Sequence, residues 1–190
     1  MMAGIGHNQG PTMEPGHSWR AYQWRKAQKA LMPNTIPLTI VRMRVRRAAE
    51  LGMDYKAYAK VRQTSGRDIL ALLFSSNALR IIGQGARMPD AERRALEAVQ
   101  RAGKLSLVYR PLTPGTVQQA NPVLDAVGAA PRFTDSWADM RARLDGFIQG
   151  RKLASDQVLI IGDTGLEAEW TTAARAGGYL PADRYFAHQT

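Results

Sequence analysis

Cysteine is absent from the 190 residues of this chain, and that absence excludes disulfide bonds, thiolate metal ligands and a cysteine nucleophile. Long apolar runs are also missing, because no stretch approaches the roughly 20 residues that cross a bilayer. The N-terminal residues lack the apolar core of a secretory signal. We therefore predict a cytoplasmic protein that does not insert into membranes.

The short motifs that mark common enzyme classes are missing as well. The sequence contains no Gly-x-Ser-x-Gly elbow, no phosphate-binding P-loop and no His-Glu-x-x-His pair. The run Gly83-Gln84-Gly85 lacks the third glycine of a dinucleotide-binding turn. No motif of this kind assigns the chain to an enzyme class.

Positive charge is concentrated in the N-terminal part of the chain. The formal net charge is +10, and residues 1–68 contain 12 of the 26 Lys and Arg residues but only 4 of the 16 Asp and Glu residues. The rest of the chain is close to neutral. Such an asymmetry suggests an acidic partner for the basic part.

Composition and helix signals predict three parts: a flexible tail at residues 1–17, a basic helical segment at residues 18–67 and an α/β domain at residues 68–190. The tail is rich in Gly, Pro and Asn. Its stretch Gly4-Ile5-Gly6-His7-Asn8-Gln9-Gly10-Pro11 resembles a short leader seen on otherwise unrelated bacterial proteins. Three short helices are predicted in the second part. They begin at Ser18, near Pro37 and after Asp54, since Ser and Asp favour helix caps and Pro favours the first turn.

Arginines line the second of these helices. Arg42, Arg46 and Arg47 lie beside an apolar stripe, and we take them as candidate partner-binding residues. Three interpretations remain open. The arginines form a solvated face over a docked helix, bind nucleic-acid phosphates beside stacking aromatic rings, or contact an acidic protein surface.

The third part alternates between strand and helix patterns. Apolar runs at residues 69–74, 105–109 and 158–161 are typical of strands buried on both faces of a sheet, and residues 132–133 are predicted as a further short strand. The intervening helices include one that runs to Gly128 and one that buries Trp137. This alternation predicts a doubly wound, mostly parallel, Rossmann-like sheet preceded by the basic three-helix segment.

Parallel strands end at a common edge of their sheet, where the loops at residues 75–77, 110–116 and 162–169 are expected to meet. Asp163 follows the last of the buried strands almost directly, and open α/β sheets bind ligands at this edge. The alternative is that Asp163 and Thr164 only cap the helix that follows.

A motif follows this last strand. It resembles the last motif of the haloacid dehalogenase superfamily in Gly162-Asp163-Thr164, in Glu167 and Glu169, and in Ala173-Ala174-Arg175-Ala176-Gly177. The resemblance extends over about residues 68–180 and implies a haloacid-dehalogenase-like fold. It also implies that Asp163 and Glu167 hold Mg²⁺ if the protein is catalytic.

The resemblance assigns places to further residues. Ser75 stands where the family has its nucleophilic Asp and Asn77 where it has its acid/base Asp, so these two residues and Asp163 are the candidate catalytic residues. Thr113 and Lys152 are the candidate phosphate-binding residues. However, a serine without a nearby base is a weak nucleophile, and an amide cannot shuttle a proton at neutral pH.

These departures favour a protein without catalytic activity. We expect a binding or regulatory module that meets an acidic partner, a protein or a nucleic acid, through its basic helical segment and that needs no cofactor. Two alternatives remain: a small Mg²⁺-dependent phosphate-ester hydrolase, and a nucleic-acid-binding protein.

Overall fold

The structure, a computed structural model, describes residues 17–31, 36–83 and 85–187. The chain divides into two compact units, Met1–Val41 and Arg42–Thr190. The described part of the first unit holds helix α1 (His17–Leu31) and the start of helix α2 (Leu38–Glu50), which continues into the second unit. Most of the predicted tail, residues 1–16, lies outside the described residues, and residue 17 already belongs to α1.

The second unit is built on a sheet in which all paired strands run parallel. Its strands are β1 (Ala71–Ser75), β2 (Gly103–Val108), β3 (Ala126–Ala129), β4 (Val158–Gly162) and β5 (Gly178–Pro181). Within the described residues these five strands follow the order β3-β2-β1-β4-β5. The predicted α/β architecture with a parallel, Rossmann-like sheet is therefore confirmed.

Helices cover both faces of this sheet. Besides α2 they are α3 (Tyr55–Ser65), α4 (Asp90–Ala98), α5 (Pro114–Ala120), α6 (Trp137–Gln149), α7 (Gly165–Ala174) and α8 (Ala182–Phe186). A short 3₁₀ turn, Ser155–Gln157, leads into β4. None of the described helices is long and apolar enough to cross a membrane.

The two faces of the sheet bury separate apolar cores, because successive side chains of a strand point to opposite faces. On the first face, Leu72 and Phe74 of β1 pack in one core with residues of α2, α3, α4, α5 and α8. On the second face, Ala71 and Leu73 pack in another core with residues of α6 and α7. Every residue of β1 and of β4 is buried, which explains the continuous apolar runs in their sequences.

The region between β2 and β4 differs from the prediction. Helix α5 ends at Ala120 rather than at Gly128, and the third strand is β3 rather than residues 132–133. β3 lies at the edge of the sheet and is only partly buried, so its short Ala-Val-Gly-Ala sequence lacks the apolar run of a central strand. Trp137, predicted to be buried, is 50% exposed.

The chain does not divide at the predicted boundary between residues 67 and 68, because α3 packs against the sheet. Tyr58 and Val61 of α3 are buried in the core of the first face. Tyr58 Oη donates a hydrogen bond of 2.9 Å to Asp68 Oδ1, just before β1. Residues 42–67 therefore belong to the same compact unit as the sheet.

Candidate functional site

The carboxyl ends of β1 and β4 lie side by side in the middle of the sheet. β1 pairs with both β2 and β4, and the strand order reverses between β1 and β4, which is where open α/β sheets bind ligands. The loop after β1 contributes Ser76 and Asn77, and the loop after β4 contributes Asp163 and Thr164. We call the space between these loops the crevice. Three predicted catalytic residues thus meet there: Asn77, Asp163 and, at the end of β1, Ser75.

Glu167 joins the two loops of the crevice. Its side chain is fully buried, with 0% of the residue exposed. Glu167 Oε2 accepts hydrogen bonds from the backbone N–H groups of Asp163 at 2.6 Å and of Thr164 at 3.1 Å. Glu167 Oε1 accepts a hydrogen bond of 2.9 Å from Asn77 Nδ2. These donors satisfy a carboxylate that would otherwise be costly to bury.

Helix α7 begins at the crevice because Thr164 caps it. Thr164 Oγ1 accepts a hydrogen bond of 3.3 Å from the Glu167 backbone N–H, and the Glu167 side chain reaches back to the Thr164 backbone N–H, which makes a capping box. This approach requires glycine at position 162. A Cβ atom there would lie 2.8 Å from Glu167 Cβ and 2.9 Å from Tyr179 Cε2. Of the two residues predicted as possible caps, Thr164 is the N-cap, whereas the Asp163 side chain is bonded to Arg80.

The Asp163 side chain forms an ion pair with Arg80. Arg80 Nη1 lies 2.7 Å from Asp163 Oδ2, and both side chains are partly exposed. Arg80 lies in the turn after β1 and has a φ angle of 54°, which is uncommon for a residue other than glycine. The carboxylate at the mouth of the crevice is therefore neutralised by another residue of the same chain.

Ser75 and Ser76 are buried and support the local structure. Ser75 Oγ accepts a hydrogen bond of 3.0 Å from the Ala78 backbone N–H and so stabilises the turn after β1. Ser76 Oγ accepts a hydrogen bond of 3.4 Å from the Tyr109 backbone N–H. Because Ser75 is 0% exposed, its hydroxyl does not reach the solvent from which a substrate would arrive.

The carboxylates of the crevice do not fit a Mg²⁺ site. Mg²⁺ needs oxygen ligands that are free to coordinate it, whereas both Glu167 oxygens accept hydrogen bonds and Asp163 is paired with Arg80. Glu169 is exposed farther along α7. Among the described residues, no group of three or more His, Cys, Asp or Glu side chains could hold a metal ion.

Thr113 and Lys152, the predicted phosphate-binding residues, lie at opposite edges of the sheet. Thr113 follows β2 and caps α5, where its Oγ1 accepts a hydrogen bond of 3.3 Å from the Thr116 backbone N–H. Lys152 lies in the turn between α6 and β4 and thus precedes the amino end of β4. Because the strands are parallel, the two residues do not meet in one phosphate site.

A cavity of about 650 Å³ opens at the carboxyl ends of β2 and β3. Its lining comes from residues 108–114, from residues 129–134 and from Arg143 of α6. Its volume lies within the range of roughly 300–1,000 Å³ that small-molecule sites occupy. Thr113 lines this cavity, whereas Ser75, Asn77 and Asp163 do not.

Tyr109 lies between the crevice and the cavity. It lines the cavity, and its ring centroid is 5.9 Å from that of Trp170 in α7. Its hydroxyl is buried and reaches no partner with hydrogen-bond geometry among the described residues. Burial, and then the charge of the Glu167 carboxylate, raise the pKa of Tyr109 above its ordinary range. The phenol therefore stays protonated at neutral pH.

The three candidate partner-binding arginines of α2 have different environments. Arg42 and Arg46 are exposed. The Arg47 side chain is only 14% exposed and forms ion pairs with Glu50 and Asp68, both at 3.0 Å. Arg47 also donates hydrogen bonds to two backbone carbonyl oxygens. It stabilises the packing of α2, which leaves Arg42 and Arg46 as the accessible pair.

Sequence patterns do not point to Arg80, because it lies 83 positions from its partner Asp163. The cavity does have a sequence signal, although it is separate from the patterns that predict strands and helices. The tripeptides Tyr109-Arg110-Pro111 and Pro131-Arg132-Phe133 each combine an aromatic residue, an arginine and a proline, and each follows a strand closely.

Comparisons with protein-family models, with curated proteins and with solved structures give no match for this chain. The function must therefore be inferred from the crevice, the cavity and the basic helices.

Proposed function

We propose that this protein is a non-catalytic, haloacid-dehalogenase-like α/β module that binds an acidic protein partner through its basic helices. One observation carries the non-catalytic part: the crevice is filled by interactions within the chain. Asn77 and Glu167 share a hydrogen bond of 2.9 Å, and Arg80 and Asp163 form an ion pair of 2.7 Å. A substrate phosphate or a metal ion would have to displace these partners.

Phosphoryl transfer needs groups that the crevice residues do not offer. A covalent aspartyl mechanism requires a carboxylate nucleophile beside bound Mg²⁺. Ser75 is buried at the position of the nucleophile, and Asn77 uses its amide N–H to hold Glu167. An amide has no titratable proton to give or take at neutral pH. These points support a binding role for the α/β unit.

Purified protein is expected to leave p-nitrophenyl phosphate unhydrolysed, with or without millimolar Mg²⁺. The Asp163→Ala variant should behave like the wild type, because Asp163 is engaged by Arg80. The measurement is nitrophenolate release, accompanied by thermal unfolding, in which Mg²⁺ should not raise the melting temperature. Mg²⁺-dependent hydrolysis that disappears in Asp163→Ala would establish the hydrolase alternative instead.

The binding part of the proposal rests on the exposed side of α2. Arg42 and Arg46 are exposed one turn apart, so they lie on the same side of the helix. Met43 and Val45 between them are 67% and 46% exposed. Arg and Met are enriched in protein interfaces, whereas a phosphate backbone attracts cations and offers little to aliphatic side chains. The mixture favours a protein partner with acidic and apolar groups.

Helix α1 has a similar composition on its accessible side chains. Trp19 and Trp24 are 64% and 70% exposed, and Arg25 and Lys26 are exposed as well. Exposed tryptophans are rare on surfaces without a partner and frequent among the residues that dominate binding energy. Charge and apolar area therefore occur together in both described helices that precede α3.

Replacing Arg42 and Arg46 together by Glu is expected to weaken capture of the acidic partner by about tenfold or more, because like charges would then face each other. The full chain serves as bait in nuclease-treated cell extract, and the retained proteins are quantified by mass spectrometry. Stability should change by less than about 0.5 kcal/mol, since both side chains are exposed. Arg47→Ala is the matched control on the same helix. It should lower the free energy of unfolding by about 2 kcal/mol and leave capture intact.

Two results would contradict this proposal. Capture that is equal for the wild type and the double variant would show that Arg42 and Arg46 do not contact the partner. Retention that depends on nucleic acid and disappears on nuclease treatment, with affinity falling steeply as salt rises, would establish the nucleic-acid-binding alternative.

A further inference from the structure

The cavity at the ends of β2 and β3 has no part in the proposed partner binding. It lies next to the crevice, yet none of the paired crevice residues Asn77, Arg80, Asp163 and Glu167 lines it. Its two main walls are the loops that follow β2 and β3, at the carboxyl edge where parallel sheets accept ligands. The cavity is therefore a separate space with its own chemistry.

An aromatic platform stands at this cavity. The rings of Tyr109 and Phe133 are stacked, with centroids 5.7 Å apart and planes 9° from parallel. Phe133 is nevertheless 81% exposed, which is unusual for a large apolar side chain. Tyr109 covers one face of the Phe133 ring and leaves the rest of the side chain accessible. A second flat ring can stack there at little conformational cost.

Cationic side chains surround the platform. Arg110, Arg132 and Arg143 all line the cavity. Arg143 Nε lies 3.2 Å from Asp135 Oδ2, so one positive charge is compensated. Within the part of the chain that the structure describes, the side chains of Arg110 and Arg132 form no ion pair. The cavity therefore carries an uncompensated positive charge that favours an anion.

Asp135 remains charged beside these arginines. The hydrogen bond from the Arg132 backbone N–H, followed by the charge of Arg143, holds the pKa of Asp135 below its ordinary range. It forms its ion pair with Arg143 and positions that side chain at the wall, while the charge of Arg132 also acts on it. Three arginines line the cavity against this one carboxylate beside it, so a net positive charge remains for a ligand.

The walls also restrict their own conformations. Pro111 lies in the first loop, Pro114 begins α5 directly after that loop, and Pro131 lies in the second loop; the ring of proline fixes φ near −65°. A wall that is rigid before binding loses less conformational entropy when a ligand arrives. These loops thus suit a small ligand better than a long flexible segment.

We propose that this cavity binds a small planar anion: a flat aromatic or heteroaromatic ring that stacks on Phe133 and carries a phosphate or carboxylate that Arg110 and Arg132 bind. The volume of about 650 Å³ suits a ligand of mononucleotide size. The planar guanidinium group of arginine can donate two parallel hydrogen bonds to two oxygens of either anionic group.

Three related probes separate the two halves of this site. AMP carries both a flat ring and a phosphate, adenosine carries only the ring, and ribose 5-phosphate carries only the anion. Titration calorimetry of the full chain is expected to show AMP binding at least about tenfold more tightly than either fragment, because stacking and charge pairing then act together.

Two substitutions should produce a crossed pattern. Phe133→Leu should weaken AMP and adenosine by about tenfold through loss of stacking and leave ribose 5-phosphate unchanged. Arg110→Gln should weaken AMP and ribose 5-phosphate by about tenfold and leave adenosine unchanged. Trp137→Leu and Arg87→Gln are matched controls, since both residues are exposed and neither lines the cavity. Both controls should bind AMP like the wild type.

The proposal is overturned if AMP shows no saturable binding up to millimolar concentration, or if its affinity is equal in the wild type and both cavity variants. Unfolding curves of the variants check that they fold, which is expected because Phe133 and Arg110 are exposed. Neither substitution lies on α2. A failure here therefore leaves the proposed partner binding standing, and the reverse also holds.

Discussion

Replacing Glu167 by alanine is expected to lower the free energy of unfolding by about 4 kcal/mol. The substitution removes the acceptor of three hydrogen bonds at a position with 0% exposure, and a hydrogen bond to a charged group contributes roughly 1.5 kcal/mol or more. The backbone N–H groups of Asp163 and Thr164 and the Asn77 amide would all lose their acceptor. Helix α7 would also lose one half of its capping box.

Urea titration followed by circular dichroism measures this effect. Glu169→Ala is the matched control, because Glu169 is exposed on the same helix and its loss should change stability by less than about 0.5 kcal/mol. Glu167→Gln should fall between the two, at about 2 kcal/mol, since an amide keeps one acceptor but turns its NH₂ group toward a donor. Equal stabilities of Glu167→Ala and Glu169→Ala would show that the buried carboxylate does not hold the two loops together.

Replacing Trp170 by alanine is expected to cost a similar amount, about 4 kcal/mol. Trp170 is 0% exposed and belongs to the core of the second face, together with Met140 and Leu144 of α6. Truncation removes the apolar contacts of the indole ring and leaves a cavity that a tightly packed core fills only in part. The ring of Tyr109, 5.9 Å away, would lose one of its supports.

Trp137→Ala is the control for this prediction. Both tryptophans lie at helical spacing with aliphatic residues, but Trp137 is 50% exposed, so its truncation should cost less than about 1 kcal/mol. The two free energies of unfolding are compared by urea titration, with circular dichroism as the signal because tryptophan fluorescence itself changes. A Trp170→Ala variant as stable as Trp137→Ala would contradict the packing of α7 on the sheet.

The central elements of the fold could be predicted because their own residues specify them. A strand buried on both faces needs a continuous apolar run, and β1 and β4 have one. The edge strand β3 could not be recognised, since an edge position that is half exposed requires no such run. That α3 packs against the sheet could not be predicted either, because the hydrogen bond from Tyr58 to Asp68 follows from no local sequence pattern.

The location of the candidate site could be predicted from the sequence, but the bonding partners of its side chains could not. Topology alone brings Asn77 and Asp163 to one edge, since parallel strands share their carboxyl ends. What each side chain does there depends on residues far away in sequence, such as Arg80, 83 positions from Asp163. The same applies to Arg47: a count of charges places it beside Arg42 and Arg46, but its bond to Asp68, 21 positions away, decides that it is structural.

The hydrogen bond between Asn77 and Glu167 also constrains how this sequence can evolve. An aspartate at position 77 would place a second carboxylate where an N–H donor now lies 2.9 Å from Glu167, and two carboxylates at that range cannot both ionise. An acid at position 77 therefore requires a compensating change at Glu167. That second change removes half of the capping box at the N-terminus of α7 and the close packing of the Glu167 side chain against Gly162. Each single step lowers stability before the next can restore it. A single substitution that places an acid in the crevice is therefore expected to cost stability.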